Sequence, residues 1–111
     1  MKRGAVIVCS VQGDYGKPRP AIVVQESRLN EIAESVIVAL VTSSPLGGEH
    51  IRVTVEPSDG NGLRVTSRIM VDKLYALPKH RVAKHVGQLD DATMIRVDAA
   101  LRTVLGLNPN S

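Results

Sequence analysis

An arginine held between two prolines is the group in this sequence best suited to chemistry. Lys17, Pro18, Arg19 and Pro20 directly precede the apolar residues 21–24. Proline fixes its own φ and biases the preceding residue toward extended geometry, so Lys17 and Arg19 lie on a stiff segment. A guanidinium keeps its charge and binds a phosphate or carboxylate through two parallel hydrogen bonds. The structural alternative is an ordinary surface arginine at the start of a strand.

Hydroxyl and carboxylate groups stand at the turns and at the predicted ends of other strands. They are Asp14, Thr42, Ser43, Thr66 and Asp72. Strand ends of a small barrel meet at one rim, where a rigid scaffold positions the loops. With an arginine, such groups suffice for metal-free phosphodiester chemistry, because the guanidinium stabilises charge on the phosphate, hydroxyls orient it and a carboxylate accepts a proton. The alternative is that the hydroxyls form turn hydrogen bonds and that Asp72 pairs with a basic residue.

Composition narrows the classes of function. The chain has 111 residues and a formal net charge of +3, which permits a polyanionic partner without requiring one. It has two tyrosines and no phenylalanine or tryptophan, which argues against a nucleic-acid reader built on aromatic stacking. The three histidines are dispersed, and the sequence contains no metal-binding spacing and no nucleotide-binding glycine motif. We therefore expect neither a metal nor a cofactor.

The cysteine count and the N-terminus indicate a compartment. Cys9 is the single cysteine and lies in an apolar run, so it is expected to be a small core residue in a reducing cytosol. The apolar run at residues 5–11 is too short to span a membrane and lacks a signal-peptide cleavage site. We predict a cytoplasmic protein that does not bind a membrane.

The elements that must position these groups are strands followed by one helix. Apolar, β-branched runs predict strands at the following residues: 5–11, 19–25, 35–42, 51–55 and 67–72, with 73–77 continuing or following the last one. The short loop between the first two strands predicts an antiparallel hairpin. Residues 27–31 are expected to form a single helical turn. The basic residues between 79 and 85 are interpreted as a solvated face, with contact to an acidic partner as the alternative.

Residues 90–105 form the clearest predicted helix. Asp90 or Asp91 can cap its N-terminus, and Gly106 stands where a left-handed C-terminal cap is expected. The predicted apolar face consists of Met94, Val97, Leu101, Val104 and Leu105. Such a helix must lie on a sheet, a barrel or a partner chain. We predict one domain over residues 1–111, mainly β with a C-terminal helix.

Several of these segments, in the same order, resemble the MazF/PemK toxins. The matching segments are residues 2–8, 17–24, the strand ending at Thr42, 66–72, 86–94, 97–101 and 105–107. The resemblance implies a small SH3-like barrel with a C-terminal helix, acting as a homodimer in the bacterial cytoplasm. It implies an mRNA interferase, a metal-independent endoribonuclease that cuts single-stranded RNA at short sequences by 2′-hydroxyl attack and leaves a cyclic phosphate. It also implies inhibition by a cognate antitoxin, whose disordered acidic C-terminal segment crosses the dimer.

The resemblance further implies roles for individual residues. Arg19, Thr42 and Asp72 match catalytic positions, and Asp72 is preferred over Asp14 as the proton acceptor. The predicted RNA-binding residues are Asp14, Tyr15, Lys17, Ser43, Thr66 and Arg68. Met70 departs from the PemK-like pattern, which has an arginine two residues before the aspartate; Arg68 or Arg19 is the candidate to replace it. The first loop is also shorter than in many relatives.

A gyrase-binding toxin of the CcdB type is the alternative, because it shares the fold and cuts no RNA. Such toxins carry target-binding residues on the C-terminal helix and end in an aromatic-containing tail. This chain ends in residues 106–111 without an aromatic and keeps the Arg-Pro run. RNA cleavage is therefore favoured. An inactive binding domain is a third hypothesis, motivated by Met70.

Overall fold

A computed structural model shows one antiparallel sheet and one helix, and it describes residues 1–11, 13 and 17–107. The elements in chain order are β1 (Ala5–Cys9), β2 (Arg19–Val23), β3 (Ser35–Thr42), β4 (Arg52–Val55), β5 (Ser67–Pro78), β6 (Val82–Gln88) and α1 (Asp91–Leu105). Single 3-10 turns occupy Leu29–Glu31 and Lys79–Arg81. The strand order is β4-β5-β3-β2-β1-β6, so hydrogen bonds among the described residues do not close the sheet into a barrel.

The predicted strands are found, with changes at their ends. β3 spans its predicted range, and β1 pairs with β2 as the predicted antiparallel hairpin, with Val6 opposite Ile22. β1 and β2 each end two residues before the predicted boundary. β5 continues without interruption to Pro78, so residues 73–77 belong to it. The predicted helical turn lies within residues 27–31, at Leu29–Glu31.

β6 was not predicted from the sequence, because the basic residues before position 86 indicated solvated surface. Lys84 and His85 are indeed exposed, but they lie on a strand that pairs with β1. β6 is an edge strand of the sheet. Charged side chains are common on edge strands, where they oppose pairing with other chains. The solvated-face interpretation was therefore right about exposure and wrong about secondary structure.

Aliphatic side chains fill two core clusters, and β1 contributes to both. Val6 joins the cluster that includes Val97 and Ala100 of α1. Ile7 and Cys9 join the second cluster, which contains residues of β1, β2, β3 and β5. This division follows from the alternation of side chains along a strand. Cys9 is fully buried, which confirms its assignment to the core.

Helix α1 begins and ends at the predicted caps. The carboxylate of Asp90 accepts a hydrogen bond from the Thr93 amide at 2.8 Å, and Gly106 adopts the left-handed conformation at φ 69°. Hydrogen bonds from Thr93 lower the pKa of Asp90, so the cap is charged at neutral pH. Leu105 was wrongly placed on the buried face; it is 53% exposed and lines a shallow surface groove with Leu107. No helix in the described part of the chain is long and apolar enough to cross a membrane.

We expect Val97→Ala to lower the free energy of unfolding by about 2 kcal/mol, because it removes two buried methyl groups and leaves a cavity. Val97 is fully buried, whereas Ile95 on the same helix is 68% exposed. Ile95→Ala is therefore the matched control, with an expected change within about 0.5 kcal/mol. Urea denaturation measures both. Equal effects would show that α1 is not packed on the sheet through Val97.

Candidate active site

A surface groove of about 610 Å³ surrounds Arg19. Its described lining residues are Gly13, Lys17, Pro18, Arg19, Pro20, Val41, Thr42, Ser43, Val65 and Ser67. The structure thus brings together four residues of the predicted site: Lys17, Arg19, Thr42 and Ser43. They provide two cationic groups and two hydroxyls, which is a suitable set for holding an anion.

Strand pairing places Arg19 beside Thr42. Ala21 of β2 lies opposite Leu40 of β3, and continuing this register by two residues brings Arg19 opposite Thr42. The Arg19 Nη2 atom donates a hydrogen bond to the carbonyl oxygen of Val41 at 3.5 Å. The guanidinium is therefore directed across the end of β3. Its side chain is partly buried, so its orientation is restricted by the fold.

The Thr42 hydroxyl has a structural partner and still has a proton to donate. Its Oγ1 atom accepts a hydrogen bond from the Ser44 amide at 3.1 Å. A hydroxyl can accept and donate at the same time, so this bond leaves the Thr42 O–H available for an anion in the groove. The turn hydrogen bond that the sequence offered as an alternative is thus present, and it is compatible with a binding role.

Ser67 is a groove residue that the sequence analysis missed. It lines the groove, is 4% exposed and donates its hydroxyl to the Val65 carbonyl oxygen at 2.9 Å. Ser67 is the first residue of β5, in alternation with the fully buried Ile69 and Val71. This alternation could have identified Ser67 from the sequence, because it places a small polar side chain on the inward-facing side of a strand.

A second, more apolar groove of about 520 Å³ adjoins the first at Arg19. Its described lining residues are Val8, Pro18, Arg19, Pro20, Gly62, Leu63, Arg64, Val65, Ser67, Ala83, Lys84 and Val86. Arg64, which was not selected from the sequence, and Lys84, which belongs to the basic stretch between residues 79 and 85, add exposed positive charges. Arg19 therefore lies between a groove that is rich in hydroxyls and a groove that is largely aliphatic.

Asp72 lies outside both sets of lining residues. Its Oδ1 atom is 3.4 Å from the Nε atom of Arg52, and its side chain is 28% exposed. Arg52 lies opposite Met70 across the β4–β5 pair. The guanidinium beside Asp72 thus comes from the neighbouring strand, at Arg52, rather than from Arg68 or Arg19. Asp72 therefore has the basic partner that the sequence analysis gave as the alternative to a catalytic role. Its catalytic role stays a prediction.

Arg68 and Thr66 have partners within the chain. Arg68 donates to the carbonyl oxygens of Pro45, Leu46 and Arg52 at 2.6, 3.0 and 3.2 Å, and its side chain is 11% exposed. Thr66 donates its hydroxyl to a carboxylate oxygen of Glu56 at 2.7 Å. These contacts support loops, and an RNA contact by either residue stays a prediction. The predicted residues Asp14 and Tyr15 lie outside the described residues.

Glu49 connects the loop after β3 to α1. It accepts hydrogen bonds from the hydroxyl and the amide of Thr54 and from the Arg96 guanidinium. Burial would raise the pKa of Glu49, but the hydrogen bonds from Thr54 and Arg96 together hold it below its ordinary value. The carboxylate is consequently ionised at neutral pH.

In the described chain, no cluster of three or more His, Cys, Asp or Glu residues could hold a metal ion.

Residues 2–105 match the family model described as "PemK-like, MazF-like toxin of type II toxin-antitoxin system". A "Probable endoribonuclease MazF" of Mycolicibacterium smegmatis is 35% identical over 108 residues, covering 96% of this chain and 98% of the relative. An "Endoribonuclease MazF" of Staphylococcus epidermidis is 32% identical, covering 97% and 93%. A solved mycobacterial endoribonuclease in complex with its cognate antitoxin has a TM-score of 0.84 at 26% identity, covering 97% of each chain.

We expect Arg68→Gln to destabilise the fold by about 2–3 kcal/mol, because charge-assisted hydrogen bonds to main-chain carbonyls are lost. Arg64→Gln is the matched control, since Arg64 is exposed on the groove wall and its replacement is expected to change stability by less than about 0.5 kcal/mol. Urea denaturation gives both values. The prediction is contradicted if Arg68→Gln is as stable as the parent and its RNA binding depends less on salt. Arg68 would then contact RNA rather than support the loop.

Proposed function

The chain belongs to the PemK-like, MazF-like toxin family, and we propose on that basis that it is a metal-independent endoribonuclease that cuts single-stranded RNA. The observation that carries the proposal is the groove in which Arg19 and Thr42 lie side by side. Relatives that match this chain over nearly its whole length are named endoribonucleases. The groove supplies the positive charge and hydroxyl donors that phosphodiester cleavage requires.

In the proposed reaction the RNA supplies its own nucleophile. The 2′-oxygen attacks the adjacent phosphorus, and the bond from phosphorus to the 5′-oxygen breaks. The products are a 2′,3′-cyclic phosphate and a 5′-hydroxyl, so one proton leaves the 2′-hydroxyl and one is added to the 5′-oxygen. Arg19 stabilises the negative charge that builds on the non-bridging oxygens, and Thr42 donates a hydrogen bond to one of them. Lys17 and Ser43 bind the neighbouring backbone.

The proton acceptor is a carboxylate in this proposal, and we favour Asp14 from its place in the sequence. The described lining residues of both grooves include no Asp, Glu or His. Asp14 follows Gly13 in the sequence, and Gly13 lines the groove. Asp72, which the sequence favoured, is paired with Arg52 outside the grooves.

We propose that an acidic antitoxin segment competes with RNA for the grooves. One similar solved structure is an endoribonuclease in complex with its cognate antitoxin. In this chain the groove cations Lys17, Arg19, Arg64 and Lys84 are placed to bind acidic side chains, and the aliphatic wall is placed to bind apolar ones. Arg68 is not counted among these cations, because its guanidinium is directed into the loop at Pro45.

The proposal includes the cellular context that the family implies. Residues 1–111 act as one domain, in the bacterial cytoplasm, as a homodimer. Leu46 is 73% exposed in the loop after β3, and burial against a second copy would remove it from water. The gyrase-binding alternative receives no support, because the relatives described above are named endoribonucleases.

We expect Arg19→Ala to slow RNA cleavage in EDTA by roughly a hundred- to a thousandfold, because a donor to the developing charge is lost. Arg19→Lys should restore little activity, since an ammonium lacks the planar fork of a guanidinium. Arg28→Ala is the control, because Arg28 is 92% exposed and pairs with Glu26 away from the groove. Mapping of the product ends should show cyclic phosphates. Near-normal cleavage by folded Arg19→Ala protein contradicts the assignment.

The two candidate proton acceptors are separated by comparing Asp14→Asn with Asp72→Asn. We expect Asp14→Asn to lower kcat by at least about a hundredfold, and Asp72→Asn to lower it by less than about threefold. Single-turnover cleavage of one defined RNA across pH measures both, and circular dichroism checks that each variant folds. The reverse order of effects would return the role to Asp72.

A further inference from the structure

We propose that Asn61 is a positioning residue that fixes one wall of the aliphatic groove and thereby sets which RNA sequences are cut. The inference deepens the proposed endoribonuclease function and rests on it. Asn61 lies in the loop between β4 and β5, is 5% exposed and is absent from the described lining of both grooves. It acts from beneath the wall rather than on the RNA.

The side chain of Asn61 holds the loop through both of its polar atoms. The Oδ1 atom accepts hydrogen bonds from the amides of Ser58 at 3.1 Å and Leu63 at 2.9 Å. The Nδ2 atom donates to the carbonyl oxygen of Glu56 at 3.0 Å. The Asn61 amide in turn donates to the Ser58 hydroxyl at 3.1 Å. One buried side chain therefore fixes the path of the main chain from residue 56 to residue 63.

Two glycines let the loop lie directly against β6. A Cβ atom at Gly87 would lie 2.3 Å from the carbonyl carbon of Asn61, and one at Gly62 would lie 2.3 Å from the carbonyl oxygen of Val86. Gly62 also has φ +69°, which side-chain-bearing residues rarely adopt. The amide of Gln88 donates to the carbonyl oxygen of Gly60 at 2.9 Å. The loop is thus bound to the sheet edge on one side and to Asn61 on the other.

The residues that follow Asn61 form the wall. Residues 62–65 line the aliphatic groove together with Pro18, Arg19 and Pro20. An RNA whose scissile phosphate lies at Arg19 has a flanking nucleotide against this wall. The width and shape of the groove there depend on where residues 62–65 sit, and Asn61 determines that position. The wall selects the flanking nucleotide, whereas Arg19 and Thr42 act on the phosphate.

The test compares Asn61→Ala with Asn30→Ala. Asn30 is the matched control because it is 3% exposed, donates to the carbonyl oxygens of Met1 and Gln25, and accepts from the Gln25 side chain, away from the grooves. We expect both variants to have a lower Tm. Only Asn61→Ala should raise KM by about tenfold with kcat within about threefold of the parent, because binding rather than chemistry is affected. It should also narrow the rate ratio between the preferred RNA and single-base variants of it.

Asn61→Asp keeps Oδ1 as an acceptor for two amides but sets its second carboxylate oxygen against the carbonyl oxygen of Glu56. We expect its KM to be raised as in Asn61→Ala. Hydrogen exchange of the Leu63 and Gln88 amides gives a readout that needs no RNA, and both should exchange faster in the Asn61 variants than in Asn30→Ala.

The outcomes separate this inference from the proposed function. If the parent protein cuts no RNA, the proposed function fails, and the exchange measurement alone decides whether Asn61 holds the loop. If the parent cuts RNA and the Asn61 variants match Asn30→Ala in KM and in sequence preference, the inference is overturned. A fall confined to kcat would also overturn it, because it would place Asn61 in the catalytic machinery.

Discussion

The hydrogen-bonded register between β2 and β3 is the constraint on which the rest of the site depends. It brings the proline-bounded start of β2 to the end of β3, where Arg19 reaches the Val41 carbonyl. A slip of one residue would turn every side chain of β2 to the opposite face. The aliphatic residues of both strands oppose such a slip, because it would move buried Ile22 from one core cluster toward the other. Core packing thus determines the position of a charged group at the surface.

Most of the strands and the helix could be predicted from sequence because their signals are local. β3 is an apolar run rich in β-branched residues, and α1 has a capping aspartate and a C-terminal glycine at its two ends. Thr42 and Arg19 could likewise be selected, since each ends or begins an apolar strand. β6 was missed because its pairing with β1 is a contact between distant segments that its composition does not show.

The partners of charged groups could not be predicted either, because these contacts also join segments that are distant in the sequence. Arg52 is 20 residues from Asp72 in sequence but meets it across the β4–β5 pair. The sequence suggested that Arg68 is an exposed cation. On β5 it lies opposite Thr42 of β3, and its guanidinium donates to carbonyl oxygens of the loop after β3. Other arginines bind carboxylates as well: Arg3 pairs with Asp98, and Arg96 with Glu49. The net charge of +3 is consequently a poor guide to the site, which depends on the cations lining the grooves.

The close contact between Gly87 and the Asn61 main chain has a consequence for how such a protein can diversify. Positions 62 and 87 admit no side chain without displacement of the main chain, so they tolerate little sequence drift. The side chains of Arg64 and Val65 next to them are exposed, and the hydrogen bond from Ser67 to Val65 uses the main-chain carbonyl oxygen, which any residue supplies. Substitutions of Arg64 and Val65 alter the groove at little expense to folding. An ancestral gene can therefore acquire new target preferences after duplication while its scaffold stays unchanged.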